Sequence, residues 1–328
     1  MPPQRVLILG ASGRVGAEVV QHCFTDRRAF DVHATTAKYM DLTQPTQMHE
    51  ALRLFQPDIV VNCGAYTAVD RAESSVEEKV RSMRVNGNGP AYLALSLGQL
   101  DRPCRLVHIS TDHVFPGETG DGYGEDDITI PVNHYGFTKL AAEMALWHIG
   151  HVYSNLEILI IRTSWVFGRW RRSFVETVLS KVLEGTTSVV TDQWGCPTSA
   201  FDLACAIEYV AKRPWIGTLP VQRLHYTNLG SVSRYDFARE AVELARVATG
   251  DERFDVRRLH PIMTPTPGRG EAMRPMMSIL RKGVISREWC GTPRKWQEAL
   301  ADHVVAPGHI SVHGLADDVA GRGQAELQ

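Results

Sequence analysis

The sequence predicts an α/β protein: a doubly wound parallel sheet followed by a smaller C-terminal α/β lobe. Two observations carry this. The first is Val6-Leu7-Ile8-Leu9, too short for a membrane span and too continuous for an exposed strand, which breaks into a turn with glycines at Gly10, Gly13 and Gly16. The second is the return of similar short apolar runs at Ile59–Val61, Leu106–Ile109 and Leu159–Ile161, with helical patterns between them.

The first run leads straight into a helix, because Val15, Val19 and Val20 return at helical spacing. A strand that turns tightly into a helix leaves unpaired backbone N–H groups at the helix N-terminus, where the dipole also favours negative charge. Together these make a pyrophosphate site. Gly10 permits the turn, Gly13 the approach of phosphate and Gly16 close packing of helix on strand, with Ser12, Arg14 and Val15 completing the loop. Such a loop also occurs as a plain strand-to-helix connection; its position after a buried strand favours dinucleotide binding.

Phe30 to Thr36 reads as the second strand. An acidic residue at its end would bind the adenosine ribose and repel the extra phosphate of NADP. Thr35 and Thr36 stand there instead, which admits NADPH or NADH with a lean to NADPH. Met48 to Phe55 is an amphipathic helix, and the strand from Ile59 ends in the small residues Cys63, Gly64 and Ala65 before Tyr66, leaving room for a ligand above the sheet. A helix carrying Val85 and Asn86 follows. The strand from Leu106 ends in Ser110-Thr111, on the same sheet edge as the glycine loop, because parallel strands align their carboxyl ends.

Pro116 to Asp127, rich in glycine and acid, reads either as a flap over substrate or as a mobile surface loop. Tyr135 and Lys139 open the next helix one turn apart, so phenol and ammonium point into one space. After the strand Leu159–Arg162, amphipathic helices are expected over Phe201–Lys212, capped by Thr198 or Ser199, and over Ser233–Ala248, capped by Ser231. His225–Gly230 lies between them as a short strand and turn. Pro261–Gly270 is a loop, Trp296–Leu300 a terminal helix, and from Ala306 apolar periodicity is lost. Residues 1–165 are thus mainly nucleotide-binding, 166–305 mainly a substrate lobe with the chain free to cross between lobes, and 306–328 a flexible tail.

Composition excludes several functions. With a formal charge of −2 and a pI near 6.7, a nucleic-acid partner has no support. Arg169, Arg171 and Arg172 around Trp170 form the one basic cluster, either a solvated face or a patch for an anion. Six cysteines without a CxxC pair suggest neither metal nor disulfides, and a chain with no signal peptide or membrane span is expected in the cytoplasm.

The GxxGxxG spacing resembles the extended branch of the short-chain dehydrogenase/reductase superfamily. The stretches PDIVVNCGAYTAVDRAE from Pro57, RTSWVFG from Arg162, VTDQWGCPT from Val190 and RPMMSIL from Arg274 resemble the dTDP-4-dehydrorhamnose reductase family. The resemblance implies a Rossmann-type sheet and NAD(P)H-dependent reduction of a 4-keto group on a nucleotide-linked deoxysugar. It also implies a catalytic triad of Thr111, Tyr135 and Lys139, with Asp41 beside Leu42 at the adenine edge. Cofactor contacts are further expected from Cys63, Gly64, Ala65, Tyr66 and Asn86.

Ketone reduction needs a hydride on carbon and a proton on oxygen. Tyr135 is the expected proton donor, its pKa lowered by the Lys139 ammonium, while Lys139 also bonds the nicotinamide ribose and Thr111 holds the carbonyl oxygen. Sugar-nucleotide dehydratases of the superfamily use Thr-Asp-Glu where this chain has Thr111-Asp112-His113. The missing glutamate argues against dehydration, although a histidine leaves an acid role open, and the reductases usually carry tyrosine there. Trp165 is expected as a sugar or base platform, or else as a core residue. Thr67 and Val69 border the sugar, and Arg274 meets the diphosphate. The other reading is a non-catalytic NADP-binding subunit resembling the one that regulates methionine adenosyltransferase; the presence of Thr111, Tyr135 and Lys139 disfavours it. A homodimer is left open.

Overall fold

The structure, a computed structural model, describes residues 2–305, so the tail expected over 306–328 lies outside the described residues. Six parallel strands form the central sheet: β1 (Gln4–Leu9), β2 (Phe30–Thr35), β3 (Ile59–Asn62), β4 (Cys104–Thr111), β5 (Leu156–Thr163) and β6 (Val221–His225). Their spatial order is β6-β5-β4-β3-β1-β2. The order reverses between β1 and β3, which opens a crevice above their carboxyl ends.

The helices that position the site are α1 (Arg14–His22), α2 (Pro45–Phe55), α3 (Gly89–Gly98), α4 (His134–Val152), α5 (Phe174–Glu184), α6 (Ala200–Lys212), α7 (Arg234–Thr249) and α8 (Trp296–Val305). Successive strand residues face opposite layers. Val6, Ile8, Val61 and Val107 pack under α1 and α6 with Val19, Leu203 and Ile207. Leu7, Leu9, Val60 and Leu106 pack under α2, α3 and α4 with Leu52, Leu93 and Leu146. Both faces are covered, which is why these strands are apolar without alternation.

The second lobe has its own core, where Phe237 and Val242 of α7 meet Val178 and Val182 of α5 and Trp296 and Leu300 of α8. The chain crosses back before completing it. Residues 200–225 return to the sheet: α6 packs its Leu203, Ile207 and Val210 stripe into the first core, and β6 extends the sheet beyond β5.

Side-chain caps fix the helix starts. Asn133 accepts from Gly136 N–H at α4, Ser199 from Asp202 N–H at α6 and Ser233 from Asp236 N–H at α7, each worth about 1 kcal/mol. At α7 the cap is Ser233 rather than the expected Ser231. The loop Pro116–Asp127 is neither a flap nor a free surface loop. Tyr123 pairs with the strand-like segment at Leu280, and buried Glu125 accepts from Gly283 N–H and Ser286 Oγ. No helix among the described residues is long and apolar enough to cross a membrane.

Candidate active site

A cleft of about 590 Å³ lies at the carboxyl edge of the sheet, where the β1–α1 loop, the ends of β3, β4 and β5 and the start of α4 converge with α7 of the second lobe. Its floor is the glycine loop. Gly10 holds φ +72°, and a Cβ there would lie 2.5 Å from Gly64 N; a Cβ at Gly16 would lie 2.2 Å from Gly10 O. Helix and strands therefore touch backbone to backbone, and Gly13 at the α1 N-cap places no side chain over the first N–H groups. Such a cradle fits a dinucleotide pyrophosphate.

Around it Ser12, Arg14, Val15, Asp41, Leu42, Cys63, Gly64 and Ala65 all line the cleft. Arg14 crosses to the second lobe, donating to Val166 O at 3.0 Å and Arg172 O at 2.6 Å, and Arg171 Nε returns to Ser12 O at 2.9 Å. Of the basic cluster Arg171 lines the cleft, while Arg169 and Trp170 stand exposed.

Five of the expected contact residues, Gly16, Thr35, Tyr66, Asn86 and Arg274, do not line this cleft. Thr35 supports the loop through its carbonyl, which accepts from Ala11 N–H at 3.0 Å. Tyr66 turns its phenol to Glu78, 2.5 Å away. Asn86 sits buried in a π-helical turn, Arg84–Asn88, and clasps the Tyr66 backbone at 2.7 and 2.9 Å. Arg274 spends its guanidinium on Asp70, at 2.7 Å, and on Ala272 O. Its charge still reaches His113 and Arg234 at the cleft wall. Gly16 also lies beneath the cleft, in its packing role.

Thr111, Asp112, His113, Tyr135 and Lys139 line one wall, with Thr67 and Val69 nearby. Thr111 donates to Asp112 Oδ1 at 3.1 Å and accepts from His113 N–H. Burial pushes Tyr135 up to about 12, against the smaller lowering from Thr111. The expected lowering by Lys139 does not govern, because Lys139 is engaged elsewhere: Nζ donates to Ile109 O at 2.7 Å and lies 3.2 Å from His108 Nε2. Burial pulls Lys139 itself down to about 8.

His113 is held neutral by burial, which lowers its pKa. Asn133 Oδ1 accepts from Gly136 N–H, so its Nδ2 donates to His113 Nδ1 at 3.0 Å, and the ring proton sits on Nε2. A neutral imidazole with that proton donates a hydrogen bond but is a poor acid for elimination.

Trp165 adopts φ +45°, a left-handed conformation rare for a bulky residue. It is fixed by its neighbours: Thr198 N–H bonds its carbonyl at 3.3 Å, and a Cβ at Gly195 would lie 2.5 Å from its ring. Arg234 of α7 lies over that ring, its guanidinium carbon 3.6 Å from the centroid.

Arg234 lines the cleft, makes no side-chain hydrogen bond or ion pair to a described residue, and is pulled down to about 10 by burial. Asp112 Oδ2 is likewise buried without a partner. A donor fork and an acceptor, both unspent, face the same space. We expect Arg234→Leu to raise the substrate KM by about tenfold or more with little change in kcat, the loss of a charge-assisted hydrogen bond. Steady-state kinetics on the purified variant checks it. Arg234 carried no sequence signal beyond following a helix cap.

A family profile described as the RmlD substrate binding domain matches residues 4–308. The chain belongs to this family. It is 37% identical over 309 residues to a probable dTDP-4,6-dihydroxy-2-methyloxan-3-one 4-ketoreductase of Streptomyces antibioticus, covering 91% of this chain and 94% of that one. It is 34% identical to a dTDP-4-dehydrorhamnose reductase of Streptomyces griseus, covering 92% and 93%. Among solved structures, dTDP-4-dehydrorhamnose reductase from Bacillus anthracis in complex with NADP superposes with a TM-score of 0.77 at 29% identity, over 91% of this chain and 97% of that one. Family membership and that similarity agree with the Rossmann-type sheet described above.

Proposed function

We propose that the protein reduces the 4-keto group of a dTDP-linked deoxysugar, with NADPH as reductant and Tyr135 as proton donor. The observation that carries this is that Thr111, Tyr135 and Lys139 share one wall of a cleft floored by a pyrophosphate cradle. The names of the relatives support the dTDP sugar, and the NADP-bound neighbour supports the cofactor.

The glycine loop, Arg171 and the small residues Cys63–Ala65 would hold the cofactor. When bound, the nicotinamide supplies the hydride. The protein's own part is the proton. A phenol raised to about 12 stays protonated at every working pH, yet an alkoxide is far more basic, so transfer from Tyr135 to the developing oxyanion is downhill. Thr111, its own proton held by Asp112, keeps the phenol oriented. The Lys139 ammonium, one turn along the same helix face, would donate to the nicotinamide ribose. Arg234 and the free Asp112 oxygen hold the polar groups of the substrate.

A pH dependence follows. The ammonium is the useful form of Lys139, and it is lost as pH rises through about 8. The kcat/KM profile should therefore fall on the alkaline side of that value, well below the ordinary lysine range. The reading itself is tested by offering dTDP-linked 4-keto sugars with NADPH and following nicotinamide absorbance, with the product identified by NMR. No consumption with any of them would refute it.

A further inference from the structure

Beneath the catalytic wall a buried chain of polar groups runs from Gly64 through Asn62 and His108 to Lys139. Gly64 N–H donates to Asn62 Oδ1 at 3.1 Å. Asn62 Nδ2 lies 3.1 Å from His108 Nδ1, and His108 Nε2 lies 3.2 Å from Lys139 Nζ. Asn62 is 1% exposed, His108 0% and Lys139 2%.

The direction of this chain is fixed at its far end. A backbone N–H can only donate, so the Asn62 atom facing Gly64 is its oxygen and the atom facing His108 is its NH2. An NH2 can only donate in turn, which makes His108 Nδ1 an acceptor. A neutral imidazole then carries its proton on Nε2, pointing at Lys139. Burial and the neighbouring lysine keep His108 neutral, its pKa well below the ordinary value. The Nε2–H can bond Nζ only when that nitrogen has a free lone pair. An ammonium would face it hydrogen to hydrogen.

We propose that Asn62 and His108 are positioning residues that set the protonation of Lys139, holding a proton donor against its amine. Because the chain is anchored on the Gly64 N–H, and Gly64 abuts Gly10, the same geometry links Lys139 to the floor of the cleft. The other groups facing Lys139 do not supply this effect. Glu143, on its own helix, favours the ammonium but is paired with Arg162 at 2.7 Å; Cys63, at the end of β3, has its thiol pushed up to about 12 by burial and is uncharged; Tyr135 is likewise a neutral phenol.

Asn62→Asp reverses the chain with almost no change of shape. A carboxylate accepts from both Gly64 N–H and His108 Nδ1–H, which leaves Nε2 as an acceptor for the ammonium. The Lys139 titration, followed by NMR in lysine-labelled protein, and the alkaline limb of kcat/KM should both move up by about one unit or more. Adding His108→Phe keeps the carboxylate but cuts the relay, so most of the shift should disappear.

In the unsubstituted protein, nitrogen NMR of labelled histidine should show His108 protonated at Nε2; this needs no variant to fold. A proton on Nδ1, or an Asn62→Asp protein whose Lys139 titration is unmoved, overturns the proposal. The activity arm rests on the reductase reading, but the two NMR readouts do not. A protein that reduces no nucleotide sugar would therefore refute that reading and leave this one still decided.

Discussion

Tyr135→Phe is expected to lower kcat for ketone reduction by about 10²–10⁴-fold while leaving NADPH affinity and the melting temperature nearly unchanged. The substitution removes one oxygen. The ring remains, and with it the edge contact to His113 at 5.5 Å between centroids. The neighbouring Thr111 hydroxyl keeps its bond to Asp112 and the His113 N–H. The kinetic cost is large because the variant has no acid at that point: His113 is neutral, Lys139 is bound to Ile109 O, and the Thr111 hydroxyl donates its hydrogen bond to Asp112. Stopped-flow reduction with saturating NADPH measures the loss, and fluorescence titration of NADPH checks that the cleft is intact. A variant that still turned over within tenfold of the parent would mean that the proton comes from elsewhere.

The parts of the site that could be read from the sequence are those that local geometry dictates. Gly10, Gly13 and Gly16 are glycines because backbone meets backbone there, and the requirement is written at three positions of one loop. Tyr135 and Lys139 share a helix face by spacing alone, and Thr111 reaches them because parallel strands align their ends, with Thr111 opposite Thr163 in register. β1, β3, β4 and β5 were legible because both faces of the sheet are covered there, whereas β6 lies at Val221–His225 and not over the expected His225–Gly230.

What was hidden depends on contacts between distant segments. Arg274 matched a motif, but its partner Asp70 lies far back in the sequence and only the folded chain brings them together. Arg234 reads as the first residue of an amphipathic helix until the fold lays it over Trp165. His108 reads as one more residue of a buried strand, although Asn62 and Lys139 make it part of a hydrogen-bonded chain. The return of residues 200–225 to the sheet was similarly unsigned, since an apolar stripe such as that of α6 fits either core.

The second large effect is on stability, at the ion pair behind Lys139. Arg162 and Glu143 are 0% and 3% exposed, joined through Nε at 3.0 and 3.1 Å and Nη2 at 2.7 Å. Ser110 Oγ adds a bond to Glu143 Oε1 at 2.5 Å, and Arg162 Nη1 donates to Glu125 O at 3.0 Å while lying over Phe115. Two charges withdrawn from water gain little as a pair, but either one alone is expensive. Arg162→Met should therefore cost about 3–5 kcal/mol in urea unfolding, and Glu143→Gln should also be costly because it breaks the fork.

The double variant Arg162→Met with Glu143→Met is expected to recover a large part of the loss, since no orphaned charge remains. A double variant as unstable as the sum of the singles would show that packing, not charge, holds this layer. The same pair also bears on catalysis. Glu143 favours the ammonium of Lys139 even while paired, so the carboxylate freed by Arg162→Met should hold that ammonium to higher pH. The surviving folded fraction of Arg162→Met should then keep its activity further into the alkaline range than the parent, a shift opposite in sense to its loss of stability. Loss of packing alone would not produce it.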